Sequence, residues 1–171
     1  GGATALTRAS RADPDGYTIV IGNSGTNAAS YTIYPDLKYT NADFAPIDRL
    51  HAAGVNYVSI NIGMDMNPLA QVMSVIGGFR ATIAAHPDRY RLADSADDIE
   101  RAAADGVLAI GFDLEGAMPL LEQPAMVALY RDLGVRQIHL AYNRNNSVAD
   151  GCHDVERGLT PLGRRMVAAV N

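Results

Sequence analysis

Two carboxylates one residue apart close an apolar run, Val107-Leu108-Ala109-Ile110-Gly111-Phe112-Asp113-Leu114-Glu115-Gly116. Side chains alternate along a strand, so Asp113 and Glu115 point the same way. Charge confined to one end of an apolar strand is the pattern of parallel α/β sheets and barrels, which keep their chemistry at the carboxyl ends of their strands. A carboxylate there is costly to desolvate unless it meets a cation, a metal ion or a network of donors. A strand whose last residues simply reach solvent carries the same pattern.

Two other stretches carry reactive or polar groups. Residues 143–158 form a long polar loop holding Asn143, Asn145, Asn146, Asp150, Cys152, His153 and Asp154. Three consecutive residues do not readily converge on one ion, because metal sites space their ligands two to four residues apart or at helical spacing. Cys152 and His153 therefore read as substrate or loop-ordering contacts rather than metal ligands. Near the start of the chain, Gly22-Asn23-Ser24-Gly25-Thr26-Asn27 is a polar turn between a strand and a helix. Hydroxyls and backbone N–H groups at such a turn suit an anion, for which Ser24 and Thr26 are the candidate carboxylate-binding residues. A capped turn with no ligand would look the same.

The elements that must position these groups follow from periodicity and punctuation. Residues 3–12 read as the tail of a helix closed by Asp13-Pro14-Asp15-Gly16, and Tyr17 to Ile21 as a short strand, with a helix over 27–33. His51-Ala52-Ala53-Gly54 ends a helix on a glycine, and Val55 to Gly63 is a strand running out at Met64-Asp65. Leu69, Val72, Met73, Ile76, Phe79 and Ile83 make a helical stripe over 68–85, weakened by Gly77-Gly78. A short strand at 90–93 precedes a capping box, Ser95 with Asp98 three residues on, and a helix to Ala104. After the central strand come a helix near 124–133, a strand at 136–142 and a helix that Thr160-Pro161 starts. Strand and helix alternating in units of about thirty residues is the order of a parallel sheet with right-handed crossovers.

Composition narrows the partners. The formal charge is -5 and the pI near 5.2, which argues against nucleic-acid binding, since nothing would neutralise a row of phosphates. Cys152 is the only cysteine, so no internal disulfide forms. No apolar run reaches the roughly 18 residues of a membrane span. Residues 1–48 contain no Met, whereas all six fall in 49–171.

Several motifs in fixed order resemble one family. Gly111-Phe112-Asp113-Leu114-Glu115-Gly116, Leu133-Gly134-Val135-Arg136-Gln137, Tyr142-Asn143-Arg144-Asn145-Asn146 and Gly158-Leu159-Thr160-Pro161-Leu162-Gly163-Arg164 are similar to the membrane (renal) dipeptidase family, peptidase family M19. The resemblance implies part of a (β/α)₈ barrel, hydrolysis of dipeptides and two zinc ions. The family's metal-bridging, catalytic carboxylate falls on Glu115, whose two oxygens could hold two cations while a bridging hydroxide attacks the peptide carbonyl. Tyr142, Asn143 and Asn146 fall on the substrate side. Tyr142 stands where the family often has a histidine, and lacks the neutral-pH titration of an imidazole. The family's His-x-Asp motif, expected before residue 50, is not there, and its later metal histidines lie on strands past Asn171. The expectation is a truncated chain, inactive alone, with at most a partial zinc site.

Pro14-Asp15-Gly16-Tyr17-Thr18, the Gly22–Asn27 turn, Tyr34-Pro35 and Asp43-Phe44-Ala45-Pro46 resemble the solute-binding proteins of tripartite tricarboxylate transporters. That family's turn helps hold a ligand carboxylate, which falls on Ser24 and Thr26. The combined expectation is an α/β chain, a partial (β/α)₈ TIM-barrel fragment over 49–171 preceded by a short α/β segment of different origin over 1–48. A carboxylate-binding receptor fragment and a nonfunctional fusion product are the alternatives. The expected partners are a dipeptide and a second copy of the chain joined through exposed sheet edges, with no nucleic acid and no membrane span. The expected location is cytoplasmic, or periplasmic if the N-terminal resemblance decides.

Overall fold

The apolar run that ends at Glu115 is the central strand of a parallel sheet. A computed structural model describes residues 2–13, 38, 51, 54–154 and 156–171. The chain divides into two compact units, Gly1–Gly54 and Val55–Asn171. In the first, helix α1 (Gly2–Ala9) buries Leu6. Gly54 closes on His51 through an N–H to carbonyl bond of 2.9 Å, with φ of +89°, as a glycine stop requires. The strand expected at 17–21, the turn with Ser24 and Thr26, and the helix at 27–33 lie outside the described residues.

The second unit runs β1 (Tyr57–Met64), α2 (Leu69–Ala85), β2 (Tyr90–Leu92), α3 (Ala96–Ala104), β3 (Leu108–Glu115), a 3-10 turn (Met118–Leu120), α4 (Met126–Asp132), β4 (Val135–His139) and α5 (Pro161–Val170). Every strand pairing is parallel. Leu108, Ala109, Ile110, Phe112 and Leu114 are at most 1% exposed, so β3 is covered on both faces until Asp113 and Glu115. On one face Phe112 meets α2, its ring 6.2 Å from that of Phe79. On the other face the Tyr57 hydroxyl crosses so close to Gly111 that any Cβ there would collide with it.

Helix α2 is continuous through Gly77 and Gly78. Two interior glycines cost roughly 2 kcal/mol against alanine. Burying Val72 and Ile76 contributes about 1.5–3 kcal/mol each, so packing wins over propensity. Helix α3 carries the expected capping box: Asp98 N–H donates to Ser95 Oγ at 3.2 Å, and Asp98 Oδ2 accepts from Ser95 N–H at 2.9 Å. Helix α5 starts as expected, with Thr160 Oγ1 accepting from Gly163 N–H at 3.0 Å and Pro161 in the first turn.

The sheet differs from a simple succession of crossovers in one respect. β1 pairs directly with β3, skipping β2. One edge of β3 is taken by β1 over 109–115. On the opposite edge β2 pairs with 108–110 and β4 with 112–115, one after the other. β2 is only three residues long because the capping turn at Asp94-Ser95 pulls the chain away. The carboxyl end of the sheet is therefore built by β1, β3 and β4, ending together at Met64, Glu115 and His139. Among the described residues the outer edges of β1 and β4 pair with no strand. No described helix is long and apolar enough to cross a membrane.

Candidate active site at the carboxyl end of the sheet

The two carboxylates of β3 have opposite surroundings. Asp113 sits one pleat below the end and is satisfied by β1: Ser59 Oγ–H donates to one oxygen at 2.6 Å and Asn61 Nδ2–H to the other at 3.1 Å. Register explains this, since Asn61 is directly opposite Asp113 and Ser59 opposite Gly111. The donor network required of a half-buried carboxylate is thus present for Asp113. Glu115, two residues on, is half-buried and makes no side-chain hydrogen bond or ion pair among the described residues. No described arginine pairs with it, the described ion pairs lying elsewhere.

In-register pairing puts Met64 and His139 on either side of Glu115. The His139 ring stacks on Tyr142, with centroids 6.1 Å apart and planes 26° from parallel. Tyr142 is exposed, which leaves its hydroxyl open to a ligand beside the strand end. Its carbonyl accepts from Cys152 N–H at 2.9 Å and the Asn143 carbonyl from His153 N–H at 3.0 Å, so these two residues are held by their own backbone. The Asn143 side chain has one weak contact, Cys152 Sγ at 3.9 Å.

Asn146 is placed differently. Its Nδ2 donates to the Leu140 carbonyl at 2.8 Å and to Asp65 Oδ2 at 3.1 Å, while its Oδ1 accepts from Val148 and Ala149 N–H. Both ends of the carboxamide are engaged within the protein. Asn145 and Asp154 do similar work: Asn145 Oδ1 accepts from Gly151 N–H, and Asp154 Oδ2 from Asn145 N–H at 2.6 Å. Asp150 Oδ2 accepts from Arg157 and Gly158 N–H. The loop that looked polar enough to bind something is polar because it has few secondary-structure bonds and supplies its own.

Sequence reasoning passed over Asp65. It follows β1 directly, accepts from Met118 N–H at 3.1 Å through Oδ1 and from Asn146 through Oδ2, and lies against Gly116. The available signal was the same as for β3, an apolar strand running out on an acidic residue. A His-x-Asp triplet does occur at His86-Pro87-Asp88, but it leads into β2 at the opposite end of the sheet from Glu115.

Zinc is the metal that the resemblance implies. Among the described residues no three His, Cys, Asp or Glu side chains stand together as a metal cluster. Glu115 offers two unengaged oxygens, but one carboxylate is too small a donor set for two ions. The described residues do not fit a binuclear centre by themselves.

The chain has counterparts among known proteins. The chain is 27% identical to dipeptidase tcpJ of Claviceps purpurea over 156 residues, which is 90% of this chain and 32% of that protein. That span is more than residues 49–171 can account for, so the similarity reaches well into the first unit and lends no support to a separate origin for it. An amidohydrolase from Pseudomonas aeruginosa superposes with a TM-score of 0.65 at 25% identity, over 70% of this chain and 37% of that one. The probable dipeptidase PvdM from the same organism gives 0.53 at 26%, over 58% and 27%. The chain spans about a third of the length of these relatives. Its α/β fold with a parallel sheet is part of a barrel of that kind. Residues 69–171 match the membrane dipeptidase family, peptidase family M19, and the chain belongs to it.

Proposed function

We propose that the protein hydrolyses dipeptides with metal ions, and that this chain supplies the Glu115 wall of the site. The observation that carries the reading is the contrast on β3: Asp113 has both oxygens satisfied by β1, whereas Glu115 beside it has no partner among the described residues. A half-buried carboxylate left unpaired at the mouth of a sheet suits a cation that it bridges. Tyr142 and Asn143 face the substrate, Tyr142 as a hydrogen-bond donor, and Asn146 serves that side through the loop it orders. Zinc is the metal proposed, with Glu115 as one of its ligands.

Taken alone, the chain then holds zinc weakly and turns over dipeptides at the background rate. The test is hydrolysis of a dipeptide panel with added zinc, by the chain and by Glu115→Gln. Turnover that disappears in the variant would show a complete site assembled within the chain or across copies of it. Turnover above background that is indifferent to Glu115 would overturn the assignment. Association through the outer edges of β1 and β4 belongs to the same proposal and would appear as a concentration-dependent mass.

A further inference from the structure

We propose that Asp65 is a positioning residue that clasps the three loops at the carboxyl end of the sheet and so fixes Tyr142 and Asn143 beside Glu115. The inference rests on the reading of that end as the active site.

Asp65 lies in the loop after β1, and its two oxygens reach the two other loops. Oδ1 accepts from Met118 N–H, two residues past Gly116, and Oδ2 accepts from Asn146 in the loop after β4. The second bond is transmitted further. The same Nδ2 of Asn146 donates to the carbonyl of Leu140, two residues before Tyr142. Oδ1 of Asn146 gathers the N–H groups of Val148 and Ala149, at 2.8 and 2.9 Å. An aspartate is suited to the place because one ionised carboxylate accepts from two directions at once. Gly116 is suited to it because a Cβ there would fall 2.0 Å from Asp65 Oδ1. The glycine beside the proposed metal-bridging glutamate thus makes room for the clasp.

The clasp makes a prediction that mere loop packing does not. Asp65→Asn keeps an oxygen for Met118 N–H but turns an NH₂ group toward the NH₂ group of Asn146. Loss of that bond releases Asn146, and hydrogen exchange at Val148 and Ala149 quickens about tenfold relative to the parent, as expected when one charge-assisted bond is lost from a local opening. Exchange at Ala109 N–H, bonded to Asn56 carbonyl within the sheet, is unchanged. In an Asn146→Ala background the bond is already absent, so adding Asp65→Asn there quickens the Val148 and Ala149 amides no further.

The experiment is amide exchange followed by NMR on the full chain, Asp65→Asn, Asn146→Ala and the double variant. Local quickening by Asp65→Asn in the parent, with none further in the Asn146→Ala background, supports the clasp. Unchanged rates in Asp65→Asn, or equal quickening in both backgrounds, overturns it. Should Asp65→Asn not fold, Asp65→Ser takes its place in the same comparison with the same outcomes. Amide exchange reads no turnover, so the dipeptidase reading can fail in the hydrolysis assay while the clasp stands, and the reverse.

Discussion

Gly116→Ala should be among the most damaging small substitutions in the chain, for two reasons that can be separated. Gly116 has φ of +125°, a region costing a residue with a side chain about 1–3 kcal/mol. The new Cβ would also lie 2.0 Å from Oδ1 and 2.2 Å from Cγ of Asp65, so Asp65 must move away. Asp65 then loses Met118 N–H and Asn146, and hydrogen bonds to charged groups contribute about 1.5–3 kcal/mol each. Taking the lower half of each range gives a loss of about 4–6.5 kcal/mol. A domain of this size has about 5–15 kcal/mol in all, so the variant sits near the edge of folding. Urea unfolding followed by circular dichroism measures the difference by linear extrapolation. In an Asp65→Ala background the collision is gone and only backbone strain is left, so Gly116→Ala should cost about 1–3 kcal/mol there. A cost below 1 kcal/mol in the parent, or the same cost in both backgrounds, would refute the reasoning.

Two further predictions concern groups held away from their ordinary titration. The Arg101 guanidinium, and after it the Ser95 hydroxyl, holds the Asp98 carboxyl below the usual carboxylate value. A carboxylate with a lowered folded-state pKa stabilises the fold above its unfolded pKa, and that contribution disappears as pH falls through the lower folded value. The first turn of α3 should therefore fray in strong acid, read from the Asp98 and Ile99 amide signals, and a cap that persists through the whole acid range would contradict this. Burial pushes the Tyr130 phenol up, and its hydroxyl donates to the Pro119 carbonyl at 3.1 Å. A phenol raised in the folded state contributes fully below the unfolded value and loses that contribution as pH rises through the folded one. Tyr130→Phe should cost about 1–2 kcal/mol at neutral pH, by leaving a buried carbonyl unpaired, and should flatten the alkaline loss of stability. An unchanged alkaline limb in urea unfolding would count against it.

Much of this fold is legible in the sequence. The charge-tipped apolar run at 107–116 locates the central strand because a strand buried on both faces has little alternative to an apolar pattern. The capping box at Ser95 and the Thr160-Pro161 start are short-range chemistry, and both form as expected. The sheet order was less legible: nothing in Tyr90-Arg91-Leu92 announces a strand too short to hold a whole edge, which lets β4 pair with β3 above it. The site shows the same division. The pattern alone marks Asp113 and Glu115 together, and it is the family resemblance that chooses Glu115. The engagement of Asn146 and the reach of Asp65 depend on residues 81 positions apart meeting through Asn146 Nδ2 and Asp65 Oδ2, which no local pattern encodes.

The most direct test of the account is where a divalent metal settles. With trace Mn²⁺ as a paramagnetic probe, NMR line broadening should centre on the Glu115 and Gly116 amides, extend to His139 across the β3–β4 register, and be displaced by zinc. Glu115→Gln should abolish that broadening while changing stability by less than about 0.5 kcal/mol, since the side chain has no partner among the described residues to lose. Broadening centred instead on the acidic loop at 150–154, or persisting at Glu115 once its charge is removed, would contradict the claim that this carboxylate is placed to hold metal.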